Sequence, residues 1–201
     1  FIPFELLPLE KPVFLSVKCG RSLSLVASNK NVNIPLRSVS ALIDFGGKKR
    51  PLPFSFLEMK VLENFAKCIG LKLRFVNPFS REDIVGALAS GVFHYSGHGG
   101  RGEHFLTKLE YTYLALGTGI TIDYHEIHVS GARGGLAFLS SCESAFIRPE
   151  FGGMDLYSLV ASFFANGFNV IAPIYAVNDV HAYFFTKAFY ESLAKAYDES
   201  A

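Results

Sequence analysis

Two stretches of the chain carry side chains able to do chemistry. "VFHYSGHGG", residues 92–100, runs from apolar residues into His94 and His98 and then into glycines. "LAFLSSCESA", residues 136–145, ends an apolar run on Cys142 among small residues. The first stretch is compatible with three chemistries. As a metal site, His94 and His98 stand at i and i+4, but in an extended segment that spacing separates them by roughly 13 Å at ~3.3 Å per residue. Chelation would need the chain to fold back at Gly97. As a phosphate cradle, "GHGGRG" fits G-x-G-x-x-G through Gly97, Gly99 and Gly102, with Asp123 about twenty residues on, the pattern of a dinucleotide site. That reading needs a packed helix after Gly102, where "EHFLTKLEYTYLALG" carries as much strand as helix character. No Gly-Lys-Ser/Thr follows, so a P-loop is excluded.

The third chemistry is nucleophilic catalysis. In open parallel sheets, reactive groups gather at the carboxyl ends of the strands. "VFHYSG" delivers His98 to such an edge, and "GLAFLSS" delivers Cys142 to the same one. Neighbouring strands lie ~4.8 Å apart, so side chains just past their ends come within reach of each other. An imidazole beside a thiol supplies the base that turns it into a thiolate. The competing reading is that Cys142 is a small buried hydrophobe. The same reading applies to Cys19 and Cys68, the latter on a helix flank. His94, inside the strand, reads as a hydrogen-bonded core histidine; His104, His125, His128 and His181 read as surface or capping residues.

The elements that must position these groups alternate strand and helix. "VSALIDFGG" is a buried strand, and "FSFLEMKVLENFAKCIG" a helix with Leu57, Val61, Phe65 and Ile69 on one stripe, stopped at Gly70. "LKLRFV" is a second strand, "SREDIVGALASG" a helix with a capping box from Ser80 and Asp83, and "GVFHYSG" the third strand. Residues 99–130 read as irregular, with a strand at "YTYLALG". "RGGLAFLSS", apolar on both faces, is a central parallel strand. "DLYSLVASFFANG" is a helix ending at Gly167, and "NVIAPIY" a strand that Pro173 keeps near an edge. "VNDVHAYFFTKAFYESLAKAY" closes the chain as a helix with Phe185, Phe189 and Leu193 in register. Repeated βα units predict an α/β fold, a three-layer α/β/α domain with a mostly parallel central sheet, over residues 39–201. Residues 1–38 read as an extended lead-in.

Bulk properties narrow the function. Of 201 residues, half are apolar and 20 are Phe, and mean hydropathy is +0.27, so a large core forms and some surface is expected to be covered by another module. Net charge is +1, which carries no electrostatic footprint for nucleic acid. The longest apolar stretch, near "LYSLVASFFA", is far short of the ~20 residues of a membrane helix. Three widely spaced cysteines are not a disulfide framework and favour a reducing cytoplasm. With no CxxC pair, a structural zinc site is not expected. The start at Phe1 suggests a part of something longer.

Taken in order, "VFHYSGHG", "LAFLSSCESA", "NVIAPIYAVND" and "FTKAFYESLAKA" resemble the CHAT domain, a branch of the caspase–separase clan of cysteine peptidases often fused to tetratricopeptide repeats or other sensor modules. The resemblance implies a caspase-like fold and peptide-bond cleavage by a His–Cys dyad, His98 with Cys142. It implies an oxyanion hole from the backbone N–H groups of Gly99 and Cys142, a protein substrate, and no metal or organic cofactor. It also implies bacterial signalling or defence, with activity switched by a sensor partner and mobile gates in residues 99–130 and "RPEFGGMD". Many members read Trp-Pro-Val where this chain has Tyr175, Ala176 and Val177. Related peptidases selective for basic residues place an acidic group just before the nucleophile, where this chain has Ser140 and Ser141. Asp179 and Asp155 are then the candidates for the substrate pocket, and Asp179 could instead cap the closing helix. Two other functions stay open: a catalytically silent scaffold of the same fold, and a dinucleotide-binding protein.

Overall fold

A computed structural model describes residues 36–45, 51–76, 81–105, 110–116, 119–131, 134–142, 144, 158–173 and 176–198. All of the lead-in before residue 36, the Ser80 cap, Cys19, Asp155 and the whole of "RPEFGGMD" lie outside the described residues; Ser38, counted with the lead-in, opens the first strand. Strand β1 (Ser38–Ile43) leads to helix α1 (Ser55–Cys68), β2 (Lys72–Phe75), α2 (Arg81–Leu88) and β3 (Val92–Ser96). After these come β4 (His98–Glu103), β5 (Glu110–Ala115), β6 (Thr121–Ile122) and the short helix α3 (Tyr124–Val129). The chain finishes with β7 (Gly135–Ser140), α4 (Leu159–Ala165), β8 (Phe168–Ile171) and α5 (Asp179–Asp198).

Five strands form one sheet in the order β2-β1-β3-β7-β8, and every pairing in it is parallel. Alternation along each strand divides the core between two layers. Val39, Ala41, Val92, Leu136 and Phe138 face α1 and α5. Leu42, Phe93, Tyr95, Ala137 and Leu139 face α2 and α4. This is the three-layer α/β/α arrangement expected from the βα repeats, with β8 at an edge as Pro173 suggested.

Two helical faces differ from the expected stripes, each by about one residue. In α1 the buried positions are Ser55, Glu58, Leu62, Phe65 and Ala66, and Leu57 is left exposed. Small residues at 55 and 66 let the helix sit close to the sheet, and this turns a carboxylate inward. In α5 the buried pair is Thr186 and Tyr190, while Phe185 stays exposed.

The segment expected to be irregular is largely ordered. β4, β5 and β6 form a separate antiparallel sheet, with Gly100 opposite Tyr113 and Gly102 opposite Tyr111. A Cβ at either glycine would lie 2.6 Å from the facing ring. The glycines are there so that two tyrosine rings can lie flat across the strand.

Candidate active site

The register of two parallel strands builds the site. Ser96 at the end of β3 pairs with Ser140 at the end of β7. The ladder runs one step further, with Gly97 N–H donating to Ser140 O at 3.1 Å. His98 and Cys142 each stand two residues beyond that last pair, so the two chains leave the sheet in step. Both side chains are half-buried and line one pocket, together with Gly97, Ser141 and Asp179. About 330 Å³ of space, open solvent at the mouth included, lies among these residues.

Gly99 closes the gap between the two chains. A Cβ added there would overlap the main-chain carbonyl oxygen of Cys142, and would lie 3.3 Å from both its carbon and Ser141 Oγ. Only glycine lets the backbone after His98 touch the backbone at Cys142. Gly99 and Cys142, the residues expected to supply oxyanion donors, are therefore in main-chain contact.

The Cys142 sulfur meets the opposite wall. Val177 N–H donates to it at 3.4 Å, and the thiol donates to Val177 O at 3.5 Å. Asp179 is anchored across the pocket from the sheet, its carboxylate accepting from Phe54 N–H at 2.9 Å. It does not cap α5. Asn178 does that, its Oδ1 accepting from Val180 N–H at 2.9 Å. Burial holds the Asp179 carboxyl above the usual carboxylate range. The Phe54 N–H draws it back, Glu58 pushes it up again, and His98 draws it down.

Beneath the pocket lies a buried polar layer that sequence reasoning missed. Glu58 is 1% exposed. Its Oε1 accepts from Ser140 Oγ at 3.0 Å and its Oε2 from Thr186 Oγ1 at 3.1 Å. His94 is fully buried, as expected of a core histidine. Its Nδ1 stands 3.1 Å from Tyr190 Oη. Its Nε2 stands 3.3 Å from Glu58 Oε2, without the alignment of a hydrogen bond. The ring nitrogens are thus turned to Tyr190 and Glu58, and among the described residues no group of three or more His, Cys, Asp or Glu side chains could hold a metal ion. The other four described histidines, at 104, 125, 128 and 181, are exposed.

Tyr95 fixes His98 from the opposite layer. Its hydroxyl lies 2.8 Å from His98 O and also against Ala115 O. Burial, then the nearby Asp44, push this phenol well above its usual range, so it stays a donor. The same ring occupies the space where a Gly97 Cβ would go. Two signals could have exposed this layer. One is the alternative α1 stripe through Ser55, Glu58, Leu62 and Ala66. The other is the alternation that puts Tyr95 opposite His94.

The dinucleotide reading fails on the backbone. Gly99, Gly100 and Gly102 run in strand β4, and the element after them is the antiparallel strand β5, where a pyrophosphate site needs a helix N-terminus.

The profile of the CHAT domain matches residues 2–201. This chain belongs to the CHAT-domain family. Among curated proteins, none matches. The CHAT domain is a caspase-like domain related to the cysteine peptidases, and the five-stranded parallel sheet between helices is the architecture expected of it. Among the described residues of this CHAT domain, no helix is long and apolar enough to cross a membrane. Cys68 is an exposed free thiol on the flank of α1 and Cys142 is free in the pocket.

Proposed function

We propose that this CHAT domain is a cysteine endopeptidase that cleaves a protein substrate with a His98–Cys142 dyad. The observation that carries the reading is the Ser96–Ser140 register, from which His98 and Cys142 step out together onto one pocket. His98 takes the Cys142 proton, and the thiolate adds to the scissile carbonyl. The oxyanion is held by the N–H groups of Gly99 and Cys142, a kind of preorganised donor worth roughly 3 kcal/mol of barrier each. Collapse expels the amine, which receives the proton from His98. Water then adds to the thioester, giving up its proton to His98, and the acid departs as Cys142 is regenerated. Every group in this sequence belongs to the chain or to water.

The domain acts in a reducing cytoplasm under a sensor partner such as tetratricopeptide repeats, in bacterial signalling or defence. The exposed Phe56, Phe184 and Phe185 support an apolar surface covered by such a partner. The clasp of Val177 on the Cys142 sulfur favours a resting state that substrate or activator must open. The test is labelling by a peptide ketone warhead, read by mass and mapped to the modified residue. Stoichiometric modification of Cys142, lost in His98→Ala, is the expected result. A Cys142 that reacts equally well without His98, or that never reacts while the protein is folded, leaves the silent scaffold as the function.

A further inference from the structure

The first turn of α1 ties together the two strand ends that carry the dyad. Ser96 and Ser140, register partners at the ends of β3 and β7, each precede a dyad residue by two positions. Ser96 Oγ donates to Ser55 Oγ at 3.1 Å, and Ser140 Oγ donates to Glu58 Oε1 at 3.0 Å. Ser55 and Glu58 stand three apart in α1, so they share one helix face. All four side chains line the pocket from beneath.

Helix α5 holds that turn in place. Thr186 Oγ1 donates to Glu58 Oε2 at 3.1 Å, and Asp179 accepts from Phe54 N–H, just before the helix. His94 of β3 flanks the same carboxylate, with Tyr190 of α5 behind the imidazole. Such a layer is a poor source of stability. Buried carboxylates are costly to desolvate, and well-packed apolar replacements for buried charged groups are often neutral or stabilising. Yet α1 turns Glu58 inward and leaves its neighbour Leu57 exposed. What the polar contacts add is direction, since a hydrogen bond fixes distance and angle where apolar burial fixes neither.

We infer that Ser55 and Glu58 are positioning residues for the reaction: they gauge the separation of the β3 and β7 ends and so aim His98 at Cys142. Their action passes through Ser96 and Ser140, the serines that precede the two reacting groups. The inference rests on the peptidase reading and adds what holds its imidazole and thiol in line.

The test replaces polar contacts by apolar ones of similar shape, Glu58→Leu with Ser140→Ala and Thr186→Val, in the full chain. Removing both sides of a buried hydrogen bond together leaves little unpaired, and urea unfolding checks that the variant folds. Alkylation by iodoacetamide, a probe too small to depend on the pocket lining, is mapped to Cys142 by peptide mass. It is read at about pH 6.5, where an ordinary thiol of pKa about 8.5 is only about 1% ionised. Loss of a negative charge near a thiol favours the thiolate, so charge alone predicts faster alkylation. Loss of aim predicts the opposite: alkylation at least about 10-fold slower, with the rate following pH as it does in His98→Ala. Adding His98→Ala to the variant should then cost little more, because the imidazole is already out of line. Unchanged or faster alkylation, or a full further loss on adding His98→Ala, overturns the inference and leaves the peptidase reading in place. If the triple variant does not fold, Ser55→Ala with Ser96→Ala is read by the same criteria. Wild-type alkylation that is indifferent to His98→Ala overturns both.

Discussion

Gly99→Ala is the sharpest test of how the two halves of the site are joined. The φ of Gly99 is not in the left-handed region, so alanine meets no backbone strain there. The whole effect is steric. The new Cβ would fall well under 3.0 Å from the Cys142 carbonyl oxygen, a separation real Cβ atoms essentially never show, and the obstructing atom is main chain. Relief requires β4 and the Cys142 turn to part by about 1 Å, a displacement able to cost roughly 10²-fold in rate at a reacting centre. Overpacking of this kind lowers stability by about 1–3 kcal/mol. Urea unfolding reads the second quantity, and Cys142 labelling by a peptide warhead reads the first. Iodoacetamide, which needs no oxyanion hole, serves as the control and should lose much less. A Gly99→Ala protein with wild-type stability and wild-type warhead reactivity would mean that the backbones of Gly99 and Cys142 are not packed together, and the oxyanion assignment would go with that contact.

Tyr95→Phe removes the hydroxyl shared by the His98 and Ala115 carbonyls. It should lower unfolding free energy by about 1–3 kcal/mol and slow Cys142 labelling; unchanged stability would contradict the role given to Tyr95. Ser140→Ala and Thr186→Val each take one donor from Glu58 and should each cost about 1–3 kcal/mol. Because both serve one carboxylate, the double variant should depart from additivity by more than about 0.5 kcal/mol, and an additive cycle in urea argues against a shared network. Asp123 caps α3 in a reciprocal box with Glu126. Burial first, then the Glu126 side chain, raise its carboxyl from 3.8 to about 6. The folded state thus holds this proton more tightly than the unfolded chain, so its stabilisation is complete below 3.8 and is lost as pH rises through about 6. Asp123→Asn keeps an N-capping side chain and should flatten stability against pH across that window; parallel profiles for the two proteins would count against it.

Much of the scaffold was legible because each strand had to satisfy one local rule. "VSALI", "VFHYS" and "GLAFLS" are apolar on both faces, as strands covered by helices on either side must be. Glycines at 70 and 167 take φ of +69° and +80°, so the helix stops before them could be read directly. Helical faces were less legible. Leu57 and Phe185 belong to apolar stripes as good as the observed ones, and the choice between neighbouring stripes depends on what the sheet presents. That the glycines after His98 run as a strand rather than an irregular segment was not legible, for a related reason. These glycines answer Tyr111 and Tyr113 across a hairpin, and nothing in residues 97–102 alone announces those partners.

By itself the sequence determined that a thiol and an imidazole would end two strands of one parallel layer, since strand patterning and the residues that follow it are local properties. Only the tertiary structure decided that Glu58 turns inward beneath them, that Asp179 binds α1 rather than capping α5, and that Gly99 touches Cys142. Those choices are made by side-chain packing between segments 40 to 130 residues apart, where no periodicity within either segment carries the information.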